Sequence, residues 1–179
     1  MAEWRPRCDP CGIVCIVSIY LIIIYTDYAF INWIVLPLNC NLATLGLSIS
    51  VFQLILILLV WSHLKAAVSD PGVVPHPTHG LDISAKQLLN KKDDNEDHNW
   101  SVCVRCQMYR PPRAHHCRIC QRCVRKMDHH CPWINNCVGE LNQKYFILFL
   151  IYTGTACAYV LISILLSFIK SKLDSHQRM

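Results

Sequence analysis

Apolar positions in this chain fall into three long runs, and one long polar stretch separates the second from the third. Leu42–Trp61 (LATLGLSISVFQLILILLVW) carries no charge, and neither does Tyr145–Ile169. Gly12–Leu36 is apolar without a break up to Tyr25, with Asp27 following. Crossing the hydrocarbon of a bilayer takes about 20 mostly apolar helical residues, so each run predicts a transmembrane helix. A cleaved signal peptide competes for the first run, because Arg5 and Arg7 precede it. No small-residue cleavage pattern follows, however, and apolar residues resume at once. A carboxylate is costly in hydrocarbon, so Asp27 is predicted to lie near the far headgroups or to face protein. The pattern predicts an α-helical integral membrane protein with transmembrane helices at 12–36, 42–61 and 145–169.

The polar stretch has two parts, a linker at 64–100 and a cysteine-rich domain at 101–144. Ser69-Asp70-Pro71-Gly72 is a strong turn signal after the second span, most simply a helix stop. The acidic run Asp93-Asp94-Asn95-Glu96-Asp97 reads as solvated linker. From Cys103 to Cys137 there is neither helical nor strand periodicity, and too little Leu, Ile, Val and Phe for a core. No internal repeat is visible there beyond the cysteine pairs. Asn142 is predicted to cap the third helix.

Charge orients the spans. Of the 17 Lys and Arg, 12 lie in residues 64–144, two precede the first span, none lies in 37–41, and three (Lys170, Lys172, Arg178) lie in the tail 170–179. The positive-inside rule therefore predicts that residues 1–11 and the middle loop face the cytosol. Three spans leave the tail on the opposite side, against which its basic residues argue mildly. The net charge of +5 is modest, and its basic residues crowd into Arg105–Lys126. An anionic lipid surface accounts for that cluster. No aromatic stacking surface accompanies it, so nucleic acid is not an expected partner. Asn99-Trp100-Ser101 is a glycosylation sequon that stays unmodified on a cytosolic loop.

Of the 12 cysteines, seven lie with four histidines between Cys103 and Cys137. In a reducing compartment, metal is a likelier use for them than disulfides. Cys103-x2-Cys106, Cys117-x2-Cys120 and Cys120-x2-Cys123 have the spacing that brings two thiolates to one tetrahedral zinc. Two closed sites need eight ligands. The segment offers eleven: Cys103, Cys106, Cys117, Cys120, Cys123, Cys131, Cys137, His115, His116, His129 and His130. With three thiolates and one imidazole per ion, one thiol and two histidines remain. Cys131 is the best spare thiol by composition, because it stands outside the C-x2-C pairs and directly follows Asp128-His129-His130. A neighbouring imidazole activates a thiol, and a carboxylate orients the imidazole. Cys123 or Cys137 is the alternative spare, with Cys131 then a ligand.

With the runs "CVRC", "HHCRICQRC" and "DHHCPWINNCVGELNQKYF", the chain resembles the DHHC family of protein S-acyltransferases, or palmitoyltransferases. Asp70-Pro71-Gly72 and the spans extend the resemblance, and Arg125–Phe146 with Asp9-Pro10-Cys11-Gly12 resembles its Golgi-associated branch. The resemblance implies two interleaved structural zinc sites, Cys103, Cys106, His116 and Cys123 for one, and Cys117, Cys120, His130 and Cys137 for the other. It implies Cys131 as the acylated nucleophile, His129 as its base and Asp128 as the orienting carboxylate. Cys131 would take the acyl group of a long-chain acyl-CoA and pass it to a membrane-proximal cysteine of a substrate protein on the cytosolic face. Arg113 and His115 are candidates to meet the CoA phosphates, and Trp133 to seat the site at the interface. Burial gains about 0.8 kcal/mol per methylene, so a sixteen-carbon tail gains roughly 10 kcal/mol by staying among the spans. Homo- or hetero-oligomers with related enzymes are a further expectation.

One departure qualifies the resemblance. The family has a fourth span and a cytosolic tail with a Thr-Thr-x-Glu motif, whereas this sequence ends ten residues after the third run. A shortened, catalytically impaired form acting as a membrane-anchored zinc scaffold is therefore the competing expectation. Cys8, Cys11 and Cys15 flank the first span as small apolar residues or as acylation sites in their own right.

Overall fold

The computed structural model describes residues 9–38, 41–75 and 100–176. Helix α1, Pro10–Ala29, starts where the sequence places its signals: the Asp9 side chain accepts from the Gly12 N–H at 3.0 Å. Pro10 sits in the first turn, where no N–H is needed. The helix runs on as a π-helical turn, Phe30–Val35, and a 3-10 turn, Leu36–Leu38. Helix α2, Leu42–Val68, is capped by Asn41, which accepts from the Thr44 N–H at 2.9 Å. Helix α3 covers Gln143–His176, longer at both ends than its apolar run.

Pro10–Val35, Leu42–Val68 and Gln143–Leu173 are each long and apolar enough to cross a membrane. Only 6–17% of their apolar windows is buried within the protein, so most of that surface faces outward, as a lipid solvent requires. The helices meet through Phe30, Phe52, Leu56, Leu59, Phe149 and Ala156. Asp27 faces protein, accepting from Gln53 Nε2 of α2 at 2.5 Å.

Six three-residue strands form the cysteine-rich domain: β1 Ser101–Cys103, β2 Met108–Arg110, β3 His115–Cys117, β4 Arg122–Val124, β5 His129–Cys131 and β6 Asn136–Val138. They pair in sequence as three antiparallel hairpins. Each strand recurs 14 residues further on in the next hairpin. So does the left-handed residue of each turn, Gln107, Gln121 and Asn135, at φ of 49°, 54° and 47°. The domain is thus a tandem repeat, which corrects the reading that nothing repeats beyond the cysteine pairs. The repeat escapes a search by residue type because its turns and strand positions change identity while the backbone recurs.

The hairpins are strapped to the end of α2. Asp70 Oδ1 accepts from the N–H groups of Gly72 and Val73 at 2.8 and 2.9 Å, which closes the turn. The strand-like segment beyond it docks on the second hairpin: Val74 N–H donates to the Cys123 carbonyl, and the Gly72 carbonyl accepts from Arg125 N–H. The Asp-Pro-Gly turn is therefore a docking element as well as a helix stop. Gly139 must be glycine there, since a Cβ would collide with the Pro71 carbonyl and Val124. Asn136 Nδ2 lies 2.9–3.2 Å from the carbonyls of Ala66, Ala67 and Ser69, and Asn142 Nδ2 lies 3.1 Å from that of Ala66. The last carbonyls of a helix have no partner within it, and these two amides supply one. Asn142 does stand just before α3, but its side-chain oxygen accepts from the Gly139 N–H instead of capping the helix. The sequon Asn99, the acidic run at 93–97 and Cys8 lie outside the described residues.

Candidate active site and metal centres

Strand alternation sorts the paired histidines. Successive side chains of a strand point to opposite faces, so His130 opposes both its neighbours, His129 and Cys131. Across the hairpin His130 pairs with Cys137, and in the hairpin before it His116 pairs with Cys123. Each such His/Cys pair meets the C-x2-C turn of the preceding hairpin. Cys103, Cys106, His116 and Cys123 form one donor cluster, and Cys117, Cys120, His130 and Cys137 the other, with ligand atoms mutually within 4.8 Å. In the first, His116 Nδ1 lies 3.1 Å from Cys106 Sγ and 3.7 Å from Cys103 Sγ. In the second, His130 Nδ1 lies 3.4 Å from Cys120 Sγ and 3.7 Å from both Cys117 and Cys137 Sγ.

The chemistry of these donors fits a soft dication. Nε2 of His116 and of His130 is buried without a hydrogen-bond partner among the described residues, so each ring is held through Nδ1 alone. Burial holds His116 below the ordinary imidazole range, which keeps it in the neutral form that a ligand needs. Hydrogen bonds from Cys120 and Cys137 hold the Cys117 thiol far below its ordinary value. The same contact with Cys117 pushes Cys120 up to about 11, and hydrogen bonds to Cys117 and Cys120 drive Cys137 higher still. Ionising one thiol thus disfavours ionising the next, and a cation at the centre would offset that repulsion.

Cys131 lies outside both clusters. It occupies the position in its hairpin that Cys103 and Cys117 occupy in theirs, but three residues on stands Ile134 in place of a second cysteine. Ile134 is fully buried, and with Cys131, Ala66 and Val138 it forms a small apolar cluster bordered by Ala67, Tyr145 and Phe146. The thiol, 5% exposed, therefore sits where the end of α2, the third hairpin and the start of α3 converge. Two residues before it on the same strand face is His129. Its Nδ1 lies 3.3 Å from Asp128 Oδ2, and its ring meets Phe146 edge-on with centroids 5.4 Å apart. An Nδ1–H directed at the carboxylate leaves Nε2 as the proton-accepting nitrogen.

A second histidine at the site has no motif to announce it. His63 of α2, 1% exposed, lies between the rings of Tyr20 and Phe149 with centroids at 5.4 and 5.1 Å. Its Nε2 is 3.0 Å from the Trp133 carbonyl and its Nδ1 3.0 Å from Tyr20 Oη. A carbonyl only accepts, so Nε2 carries the hydrogen and Nδ1 accepts from the phenol. His63 thereby ties two membrane helices to the turn that follows Cys131. Trp133 itself is half-exposed on that turn, while Arg113, in the connection just before β3, and His115 of β3 are exposed.

Residues 96–179 match a family model described as DHHC palmitoyltransferase. The chain carries a DHHC domain. It is 36% identical over 156 residues to Palmitoyltransferase ZDHHC3 of Homo sapiens, covering 87% of this chain and 50% of that protein. It is 37% identical over 161 residues to Palmitoyltransferase ZDHHC7 of Mus musculus, with 90% and 50% covered. With Probable protein S-acyltransferase 13 of Arabidopsis thaliana it shares 42% identity over 126 residues, 66% of this chain and 42% of that one. The chain spans about half the length of the first two relatives. The DHHC tetrad is Asp128-His129-His130-Cys131, split by strand alternation into one residue facing a metal cluster and the His/Cys pair facing away from it.

Proposed function

We propose that this chain is a protein S-acyltransferase that takes a long-chain acyl group from acyl-CoA onto Cys131 and passes it to cysteines of substrate proteins. One observation carries the reading: Cys131 is the turn cysteine left without a partner thiol, on the same strand face as His129, which contacts Asp128. Zinc is the cation that best suits two Cys3His sets. Bound there, it supplies the folding energy that a core would otherwise provide, about 10–16 kcal/mol per site in small domains.

The chemistry runs in two displacements. His129 takes the proton of Cys131, and Asp128 stabilises the resulting imidazolium. The Cys131 thiolate attacks the thioester carbon of acyl-CoA, the carbon–sulfur bond to CoA breaks, and the departing thiolate takes the proton from His129. A substrate cysteine then gives its proton to His129 and attacks the Cys131 thioester, the carbon–sulfur bond to Cys131 breaks, and Cys131 leaves as thiolate and takes the proton back from His129. Arg113 and His115 contact the CoA phosphates, and Trp133 holds the site at the interface, where indoles concentrate. The excess of Lys and Arg in residues 64–144 supports the cytosolic face of the membrane for the domain, and the resemblance of Arg125–Phe146 supports a Golgi membrane.

The test is incubation of the full chain in detergent with labelled sixteen-carbon acyl-CoA. Hydroxylamine-sensitive label on the wild type, absent in Cys131→Ser while about two zinc ions per chain remain, is the expected result. Label that survives Cys131→Ser, or zinc bound through the Cys131 sulfur, overturns the reading.

A further inference from the structure

Two cysteines of α1 lie beside the site, and the chemistry above leaves them unused. The first turns of α1 pack on the turn that follows Cys131. At Gly12 the approach is so close that a Cβ would collide with the Asn135 side chain. Cys11 and Cys15 flank this contact, four residues apart on one helix face. Cys15 lies one turn on from Gly12, on the helix turns that meet the segment directly following Cys131. Cys131 is buried, Cys15 half-buried and Cys11 exposed, so the three thiols form a graded series leading outward from the site. Beyond Cys15 the helix turns apolar side chains outward, among them Val17 at 52% and Leu21 at 62% exposed.

We propose that Cys15, with Cys11 next to it, is an internal acceptor for the acyl group that Cys131 carries. The inference rests on the acylation of Cys131 proposed above. The Cys15 thiol gives its proton to His129, and its sulfur attacks the carbonyl carbon of the Cys131 thioester. The carbon–sulfur bond to Cys131 breaks, Cys131 leaves as thiolate, and the proton returns to it from His129. One thioester is consumed and one formed, and no oxidant or second acyl donor is needed. The product holds its chain at the membrane end of α1, where the outward apolar face of that helix continues into hydrocarbon, and it returns Cys131 to the free state. A second exchange passes the group between Cys15 and Cys11.

Trypsin separates the two sites. Cys11 and Cys15 fall in the fragment 8–65, and Cys131 falls in 127–144. The full chain in detergent is loaded with labelled sixteen-carbon acyl-CoA, freed of acyl-CoA by gel filtration and sampled over time. The expected result is that label moves from fragment 127–144 to fragment 8–65 at a rate unchanged by tenfold dilution. Cys11→Ser/Cys15→Ser cuts the label on 8–65 at least tenfold and leaves the loading of 127–144 intact. Cys131→Ala, with zinc content retained, removes label from both fragments. Label on 8–65 that persists in Cys131→Ala shows direct acylation and overturns the relay, as does label that stays on 127–144 in the wild type. A transfer rate that falls with dilution overturns the internal path. Absence of label from both fragments of the wild type overturns the acyltransferase reading as well, which separates that failure from failure of the relay alone.

Discussion

The second and third hairpins of the cysteine-rich domain share one backbone and differ in their side chains. His115, His116, Cys117, Cys120 and Cys123 of the one stand 14 residues before His129, His130, Cys131, Ile134 and Cys137 of the other. In both, the second histidine and the final cysteine pair across the strands and serve the cluster behind them. The second hairpin also offers a C-x2-C turn, and the third hairpin's His130 and Cys137 complete its cluster. The third hairpin keeps the first cysteine of that turn and puts Ile134 at the second position. Among the described residues no further His/Cys pair follows to complete a third cluster. Three hairpins linked in this way make two sites, and the leading thiol of the last one is left over. Two other differences surround that thiol: buried Ala114 becomes Asp128, in contact with His129, and Arg118 becomes Pro132.

The sharpest way to break the comparison is one substitution at both equivalent positions. Cys117→Ser removes a donor from the second cluster. Structural zinc contributes about 10–16 kcal/mol, as much as a whole domain's net stability of about 5–15 kcal/mol. We expect zinc to fall below two per chain and the domain to become protease-sensitive. Cys131→Ser, at the same register, is expected to keep both ions and lose acylation entirely. Zinc analysis and labelling of the two variants side by side decide the matter, and matching zinc loss in both would erase the distinction.

The histidines give the next contrast. His129→Ala is expected to lower the acylation rate about 10²–10⁴-fold, the range for loss of a general base. His115→Ala, its counterpart, is expected to raise KM for acyl-CoA a few-fold with kcat unchanged. Equal kcat losses in steady-state kinetics would show that the first histidines of the two doublets do the same work. Restoring the missing turn cysteine with Ile134→Cys sharpens the point about ligand supply. The metal content should stay at two, while loss of buried volume costs about 1–3 kcal/mol in denaturant unfolding. A third zinc per chain would show that the one missing turn cysteine, and not the absent His/Cys pair, is what keeps Cys131 free. The smallest effect is expected at His63, where His63→Ala loosens the Trp133 carbonyl. A loss of a few-fold in kcat with zinc retained would mark it as a positioning residue, and His63→Gln, able to donate at the same carbonyl, should restore part of it.

Much of the site was legible because its parts are local in sequence. Thiol pairs at C-x2-C spacing announce a metal whatever fold surrounds them, and the surplus over eight ligands follows from counting. Which thiol is surplus did not follow from counting, since Cys123, Cys131 and Cys137 all remained open. The structure puts Cys123 and Cys137 in the two donor clusters and Cys131 outside both. His63 was not legible at all. A lone histidine within an apolar run reads as an ordinary polar interruption, and its partners Tyr20 and Trp133 lie 43 and 70 residues away. Asn136 and Asn142 were missed in their true role for the same reason, because each answers carbonyls at the end of α2 about 70 residues back.

The three helices were settled by the sequence alone, because a bilayer demands an unbroken apolar length and nothing from elsewhere in the chain can substitute for it. That the segment 103–137 carries metal donors was legible likewise, because thiolate and imidazole bind through their own chemistry. Tertiary structure alone decided which donors share a cluster, that Cys131 lies outside both, and that the start of α1 packs on the turn that follows it. Those outcomes depend on strand register and on contacts between distant segments, and a one-residue change of register would turn each of these side chains to the opposite face.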